Sequence, residues 1–203
     1  MRKLFLLSFL VCSISAFASE VEQDHELALS AFNDNKYEEA LIHIKNSLKA
    51  SPDHLASHIL MAKVLLSSGK GSAAEAALIK AKNLGAKKKQ LELLFAESYL
   101  MQGQYKKTLA YLPTKNNSDS FGVRVQVLRG DAHLGLRQLE LSEKAYLLAI
   151  SFDDKNVSAK LGLAQVYVNH YKFKKADELI DQVLAGYLPP VKAWNLKASI
   201  QQN

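Results

Sequence analysis

The chain has 203 residues, of which 26 are Lys or Arg and 20 are Asp or Glu, and its formal net charge is +6. This balance is mildly basic and lacks the concentrated basic face expected of a nucleic-acid-binding protein. Because Cys12 is the only cysteine, the sequence excludes an intramolecular disulfide and a site built from several thiolates.

The first 18 residues are predicted to be a cleaved signal peptide. Arg2 and Lys3 give a positive start, residues 4–14 form an apolar run, and residues 16–18 are Ala-Phe-Ala, the small-residue pattern that signal peptidase recognises. The apolar run is shorter than the roughly 20 residues that a membrane-spanning helix needs. The segment therefore predicts export followed by removal.

Cleavage after Ala18 is expected to leave Ser19 as the first residue of a periplasmic or secreted protein. The alternative is a lipoprotein that associates with the membrane through a lipid on Cys12. That cysteine follows Val11, where lipoprotein signals carry Gly, Ala or Ser, so cleavage after Ala18 is the preferred prediction. No later stretch of the sequence is apolar enough to cross a membrane.

The remaining residues favour a helical fold, since four prolines and nine glycines accompany abundant Leu, Ala, Lys and Glu. A longer period of 34 residues is superimposed on the helical one. Small residues recur at this interval in every second helix: Ala40, Ala74, Thr108, Ser142 and Ala176. Bulky residues follow each of them after four positions: Ile44, Leu78, Leu112, Tyr146 and Ile180. The first helices carry a small residue at a matching position: Ala28, Ala62, Ala96, Gly130 and Ala164.

A 34-residue helix-turn-helix period with this alternation is typical of tetratricopeptide repeats. Two helices approach closely only where one presents Ala or Gly, and bulky side chains fill the space beside it. The predicted fold is therefore all-α, a tetratricopeptide-type α-solenoid that forms a right-handed superhelix over residues 19–203. Its predicted repeats are 21–54, 55–88, 89–122, 123–156 and 157–190, followed by a capping half repeat at 191–203.

Two places depart from this plan. In the third repeat the second helix is expected to stop before Pro113, which has no N–H to donate and disfavours helix in the residue before it. A polar loop follows, so a boundary between halves 20–112 and 120–203 is predicted there, as an irregular joint or as a hinge or interaction loop. In the half repeat, Trp194 is predicted to be a core anchor of the capping helix.

No catalytic, cofactor-binding or metal-binding residue is predicted. His54 and His58 are four residues apart, but His54 is placed in a turn, and both are interpreted as surface histidines. The other histidines have no Ser or Asp partner in a recurring pattern, so an enzyme is not expected. The segment GKGSA at residues 69–73 lacks the ending of a phosphate-binding loop and is interpreted as a turn between helices.

The candidate partner-binding groove is the face lined by the first helix of each repeat, through positions 2, 5, 9, 12 and 13, where an extended segment or helix of a partner is expected to bind. Its predicted residues are His25, Leu29, Phe32, Ile59, Lys63, Leu66, Leu93, Glu97, Leu100, Met101, Val127, Asp131, Leu134, Leu161, Gln165 and Val168.

Several stretches resemble the periplasmic tetratricopeptide proteins of the exosortase/PEP-CTERM system, which is associated with exopolysaccharide. They include LLFAESYLMQGQYKKTLAYL, VLRGDAHLGL and AKLGLAQVYV, with NLGA at residues 83–86, LRGD at residues 128–131 and the break after Leu112 as the more specific points. Those proteins carry many more repeats. The resemblance implies a non-enzymatic scaffold or adaptor that binds envelope or secreted proteins and assists exopolysaccharide export, biofilm-matrix assembly or surface-protein sorting. The alternative is a repeat protein that binds polysaccharide directly.

Overall fold

The computed structural model describes residues 20–114 and 118–201, which form helices joined by turns and short loops, as the predicted all-α fold requires. The first helix, α1, covers residues 20–33. The others are α2 (Tyr37–Ala50), α3 (Leu55–Ser67), α4 (Gly71–Asn83), α5 (Lys88–Met101), α6 (Tyr105–Tyr111), α7 (Ser120–Gly135), α8 (Leu139–Phe152), α9 (Val157–Asn169), α10 (Phe173–Leu184) and α11 (Val191–Gln201).

The small and bulky positions of the 34-residue period form the core, as predicted. All five small residues of the second helices have no exposed side-chain surface, and so do the bulky residues Ile44, Leu78, Tyr146 and Ile180. Each small residue lets a neighbouring helix approach closely, and the bulky side chain one turn later fills the space beside it. The sequence period is therefore a packing period.

The turn inside each repeat uses a left-handed backbone. Residues with φ between +57° and +72° occur once per repeat at the same position: Asn35, Gly69, Gly103, Arg137 and Tyr171. The next residue bonds back to the helix, as when Lys70 N donates to Leu65 O at 2.8 Å and Lys172 N donates to Tyr167 O at 2.8 Å. This is the Schellman ending, which satisfies the last carbonyls of a helix and requires a positive φ at the residue that follows it.

The chain divides into two compact units, Met1–Gln102 and Gly103–Asn203. In the first unit, consecutive helices from α2 to α5 pack on one another and α3 also contacts α5. In the second unit, consecutive helices from α6 to α11 pack in the same way, while α9 also contacts α7 and α11. The first helices of neighbouring repeats therefore touch, and in each unit they form an inner layer that the second helices flank.

The third repeat ends its second helix early, as Pro113 predicts. Helix α6 stops at Tyr111, and Leu112 is already extended, with φ −70° and ψ 136°. The predicted boundary at residues 113–119 is nevertheless wrong in position, because α6 packs on α7 and belongs to the second unit. The units divide in the turn between α5 and α6.

Trp194 is not the core anchor that the sequence predicts. Its side chain is 56% exposed, whereas Ala193 and Leu196 are buried and attach α11 to the second unit. In the repeat register Trp194 corresponds to Asp24 and Lys160, which bond to the second helix of their own repeat, to His43 and Gln182 respectively. Trp194 therefore occupies a surface position of α11 within the described residues.

Within residues 20–114 and 118–201, every helix is too short or too polar to span a membrane. The predicted signal peptide lies outside the described residues.

Candidate functional site

The predicted groove residues differ widely in exposure. Leu66, Leu93 and Leu161 are buried and belong to the core. Leu29, Lys63 and Met101 are exposed. The other ten are partly buried: His25, Phe32, Ile59, Glu97, Leu100, Val127, Asp131, Leu134, Gln165 and Val168. The inner layer thus offers a mixed surface, with apolar side chains that a partner could cover and charged or amide groups between them.

Leu134 and Val168 also line a cavity of about 520 Å³ in the second unit. We call it the turn pocket. It lies where α7 and α9 end and α8 begins, and it is lined by Leu134, Gly135, Arg137, Leu139, Val168, Asn169 and Tyr171. Its volume is in the range of ligand sites, which combine an apolar lining with a few polar groups. The sequence predicted Leu134 and Val168 but missed Arg137, Asn169 and Tyr171, because these three belong to the turns and the helix ends.

Arg137 and Tyr171 stand at the left-handed turn position, with φ 57° and φ 58°. Non-glycine residues adopt this conformation at a cost in free energy, least for Asn and Asp. Tyr171 is 82% exposed, and its ring is nearly perpendicular to that of Phe173, with centroids 6.1 Å apart. Both side chains are therefore held at the rim of the turn pocket by a strained backbone.

Asp131 connects the inner layer of α7 to the core of the second unit. The Tyr146 hydroxyl donates to Asp131 Oδ1 at 2.6 Å, and the Ser142 hydroxyl donates to the Gly130 carbonyl at 2.8 Å. Burial raises the pKa of Asp131 above its ordinary value, against the opposing effects of the Tyr146 hydrogen bond and of Lys192. Burial, with the nearby Asp131 carboxylate, also raises the pKa of Tyr146. The pair is a structural element of the groove wall.

Solved structures of similar fold exist, although no protein-family model and no curated protein sequence matches the chain. PilF of Pseudomonas aeruginosa is 14% identical over 92% of this chain and 85% of its own, with a TM-score of 0.68. TTC0263 of Thermus thermophilus, a tetratricopeptide protein, is 16% identical over 90% and 97%, with a TM-score of 0.64. YrrB, a tetratricopeptide protein with an unusual peptide-binding site, is 17% identical over 90% and 98%, with a TM-score of 0.60.

The chain has the tetratricopeptide-repeat fold. At these identities the likeness establishes the arrangement of the helices and leaves the function to be argued from the residues. The tetratricopeptide register then shows which features are shared by all five repeats and which occur in one repeat alone.

One feature confined to the first tetratricopeptide repeat and its neighbour is a Ser–His cluster. His54 Nδ1 lies 2.8 Å from Ser57 Oγ, and His25 Nδ1 lies 3.1 Å from the same hydroxyl. Ser47 Oγ is 2.9 Å from Ser57 Oγ, and His54 Nε2 is 3.6 Å from a Glu22 carboxylate oxygen. Burial lowers the pKa of His25, and the neighbouring His54 lowers it further.

The sequence predicts no recurring Ser or Asp partner for the other histidines, and the Ser–His cluster is a single arrangement that does not recur with the repeat. It was missed because its members come from α1, α2, α3 and the turn before α3. The geometry resembles a catalytic triad, in which a base activates a serine hydroxyl. Ser57, however, has no exposed surface, so a substrate has no access to its hydroxyl. The cluster is a buried polar network that joins three helices.

The remaining histidines of the first unit also have fixed surroundings. His43 Nδ1 lies 3.1 Å from Asp24 Oδ1. The prediction that His58 is a surface residue is wrong, since it is 9% exposed and its Nε2 donates to the Pro52 carbonyl at 2.8 Å. Among the described residues, no three His, Cys, Asp or Glu side chains converge as a metal site would require.

Proposed function

We propose that the chain is an extracytoplasmic interaction scaffold that binds protein partners on the inner layer and turn pocket of its second unit. The tetratricopeptide fold supports this, because repeat arrays of this kind present extended binding surfaces. The single observation that carries the proposal is the turn pocket, where Leu134 and Val168 of the inner layer meet the polar side chains of Arg137, Asn169 and Tyr171. YrrB, with its peptide-binding site, is a precedent for such a use of the fold.

The proposed setting is the cell envelope, where the adaptor would assist exopolysaccharide export, biofilm-matrix assembly or surface-protein assembly. The support for it is the signal-peptide pattern of residues 1–18 and the resemblance to periplasmic repeat proteins. We propose a non-catalytic role, because the triad-like arrangement present in the described part of the chain centres on Ser57, whose hydroxyl is buried.

Affinity purification from the native envelope tests the scaffold role. The full chain, carrying a C-terminal tag, is expressed in its own cells and isolated after mild cross-linking. A discrete protein partner is expected, and the purified partner should bind the purified chain at micromolar concentration or below. A chain that recovers no such protein in repeated preparations would contradict the scaffold role.

A second candidate function is direct binding of polysaccharide. The observation that favours it is the 82% exposed ring of Tyr171 at the turn pocket, since a flat exposed ring offers a stacking surface. The same purification separates the two functions. Recovery of glycan without any protein would support the second and contradict the first.

Mass spectrometry of the mature N-terminus tests the location. The proposal expects a chain that begins at Ser19, which reports cleavage after Ala18. If the first residue is instead a diacylglycerol-modified Cys12, the protein is a lipoprotein and not a free periplasmic or secreted protein.

A further inference from the structure

The turn position gives the first argument for a selective site. Two of the five repeats place a large side chain where a left-handed backbone disfavours one, namely Arg137 and Tyr171. The other three use Asn35, Gly69 and Gly103, which adopt this conformation more readily. Although they belong to successive repeats, Arg137 and Tyr171 line the same cavity. Strained residues that converge on one cavity are typical of binding sites.

The side chain at this position in the first repeat serves the fold itself. The Tyr37 hydroxyl donates to Asn35 Oδ1 at 2.9 Å. Arg137, in contrast, makes no ion pair with any described residue, and Tyr171 makes only the edge contact with Phe173. The two strained side chains therefore leave their polar groups and most of the exposed surface of Tyr171 available to a ligand.

The charges distinguish the turn pocket from a second cavity of similar size, about 510 Å³, at the first turn. That cavity is lined by Glu38 and Glu39 together with Lys36, and Lys36 is already paired with Asp34 at 3.4 Å. Among the described residues that line the turn pocket, Arg137 alone carries a charge. A guanidinium without an ion pair is suited to bind a carboxylate, often with two parallel hydrogen bonds.

The uncharged lining indicates what accompanies the carboxylate. Leu134, Leu139 and Val168 supply an aliphatic floor. Asn169 Oδ1 accepts a hydrogen bond from Gln165 Nε2 at 3.2 Å, which leaves the Asn169 amide N–H groups to donate to a carbonyl. These three aliphatic side chains can accommodate one apolar side chain beside the polar groups of the pocket.

We propose that the turn pocket recognises an extended peptide segment of a partner in which Asp or Glu stands beside an apolar residue. The carboxylate binds Arg137, the apolar side chain lies on Leu134 and Val168 beside the Tyr171 ring, and a backbone carbonyl accepts from Asn169. This inference rests on the proposed scaffold function and names the chemistry of the partner.

Selection of peptides tests the proposal. A random ten-residue library, displayed so that no free C-terminal carboxylate is present, is selected on the mature chain and counter-selected on the Arg137→Gln variant. Enriched peptides are expected to carry Asp or Glu within two residues of an aliphatic or aromatic side chain. A selection that enriches no such pattern overturns the proposal.

Synthetic fluorescent copies of an enriched peptide provide the quantitative test. We expect at least tenfold weaker binding to Arg137→Gln, the same loss when the acidic residue of the peptide becomes its amide, and weaker binding at high salt. Asn35→Gly is the matched control and should bind as the wild type does. Equal binding to wild type and Arg137→Gln overturns the proposal, and so does Arg137-dependent binding of a hexauronate when no peptide binds.

The melting temperature gives a second readout, which reports the backbone strain at Arg137 and Tyr171 independently of peptide affinity. Arg137→Gly and Tyr171→Gly should each weaken peptide binding at least tenfold, while relief of the strain raises Tm by about 1–3 °C. A fall in Tm would show that the two residues stabilise the fold and do not serve a ligand.

The native partner separates failure of this inference from failure of the scaffold role. Equal capture of the partner by wild type and Arg137→Gln would support the scaffold role and show that the turn pocket does not bind the partner. Capture by neither would contradict the scaffold role itself.

Discussion

The two compact units use one repeat register with different chemistry. In the first unit, Ala28 and Ala62 stand where the helices approach, and the buried residues Ser47 and Ser57 belong to the Ser–His cluster. In the second unit the equivalent space is occupied by the Tyr146 ring. A Cβ added at Gly130 would lie 2.6 Å from that ring, and one added at Gly162 would lie 2.2 Å from it.

The two units also differ in the residues at the left-handed position of their turns. The first unit has Asn35 and Gly69 at the left-handed position. The second begins with Gly103 at that position but has Arg137 and Tyr171 there in its next two repeats, and both of these line the turn pocket. The packing positions set the register and tolerate few residues. The turn and groove positions contribute less to the stability of the fold. A binding site can therefore occupy them in one unit and be absent from the other.

The largest expected effect on stability comes from a methyl group added at Gly130, which fills the space beside the Tyr146 ring. Gly130→Ala should lower the free energy of unfolding by about 2–3 kcal/mol, because the added methyl group overlaps a ring that is fully buried. Urea denaturation measures this. In the second repeat these two positions hold Ala62 and Leu78, both buried, so an alanine is accommodated there beside a smaller side chain. A Gly130→Ala variant as stable as the wild type would contradict the packing described for the second unit.

The next effect concerns the hydrogen bond between Tyr146 and Asp131. Tyr146→Phe should lower the free energy of unfolding by about 1.5–3 kcal/mol, because it removes the donor from a buried carboxylate. Calorimetry of the variant at neutral pH measures it. Ser151→Ala, at an exposed hydroxyl of α8, is the control and should change stability little.

Asp131 also gives this unit a pH dependence with a defined sign. Burial raises the pKa of Asp131 in the folded state, so the fold binds the proton more readily than the unfolded chain does. The stabilisation is complete below the unfolded pKa, near 4, and is lost as the pH rises through the folded pKa. Asp131→Asn should therefore be more stable than the wild type at pH 7, and this difference should shrink toward pH 4. A difference that grows on acidification would contradict the assignment.

A smaller effect is expected at the start of α7. Asp119 Oδ1 accepts from Gly122 N at 2.8 Å and caps the helix. Asp119→Ala should lower the free energy of unfolding by about 1 kcal/mol. Asp154→Ala is a matched control, because it removes an exposed acidic side chain that lies in a turn and caps no helix. Equal effects of the two substitutions would show that Asp119 acts through charge alone.

The smallest effect belongs to the Ser–His cluster of the first unit. Burial and the neighbouring His54 lower the pKa of His25 below its ordinary value near 6.5. The stability that neutral His25 contributes is present above that value and is lost as the pH falls through the folded pKa. Hydrogen exchange of α1 at pH 7.5 and pH 5.5 should show weaker protection at the lower pH. His25→Gln should reduce this pH dependence, and an unchanged dependence would assign it to other groups.

The sequence was sufficient to predict the fold because repeat packing depends on residue size at fixed intervals. Ala40, Ile44 and Gly130 could be assigned to the core without a structure. The exposure of Trp194 could not be predicted, because the equivalent positions of the other repeats hold polar residues such as Asp24 and Lys160 and do not define a core position. The Ser–His cluster and the turn pocket were also missed, because their members converge from separate helices and turns.

Site-specific photo-cross-linking tests the scaffold role most directly. A photoreactive phenylalanine analogue replaces Gln165, on the inner layer of α9, or Lys155, an exposed residue in the turn before α9. In the native envelope, Gln165 should give an adduct with a discrete protein and Lys155 should not. Arg137→Gln in the Gln165 background should reduce the adduct. Adducts of equal yield from both positions, or none from Gln165, would contradict a partner-binding surface in the second unit.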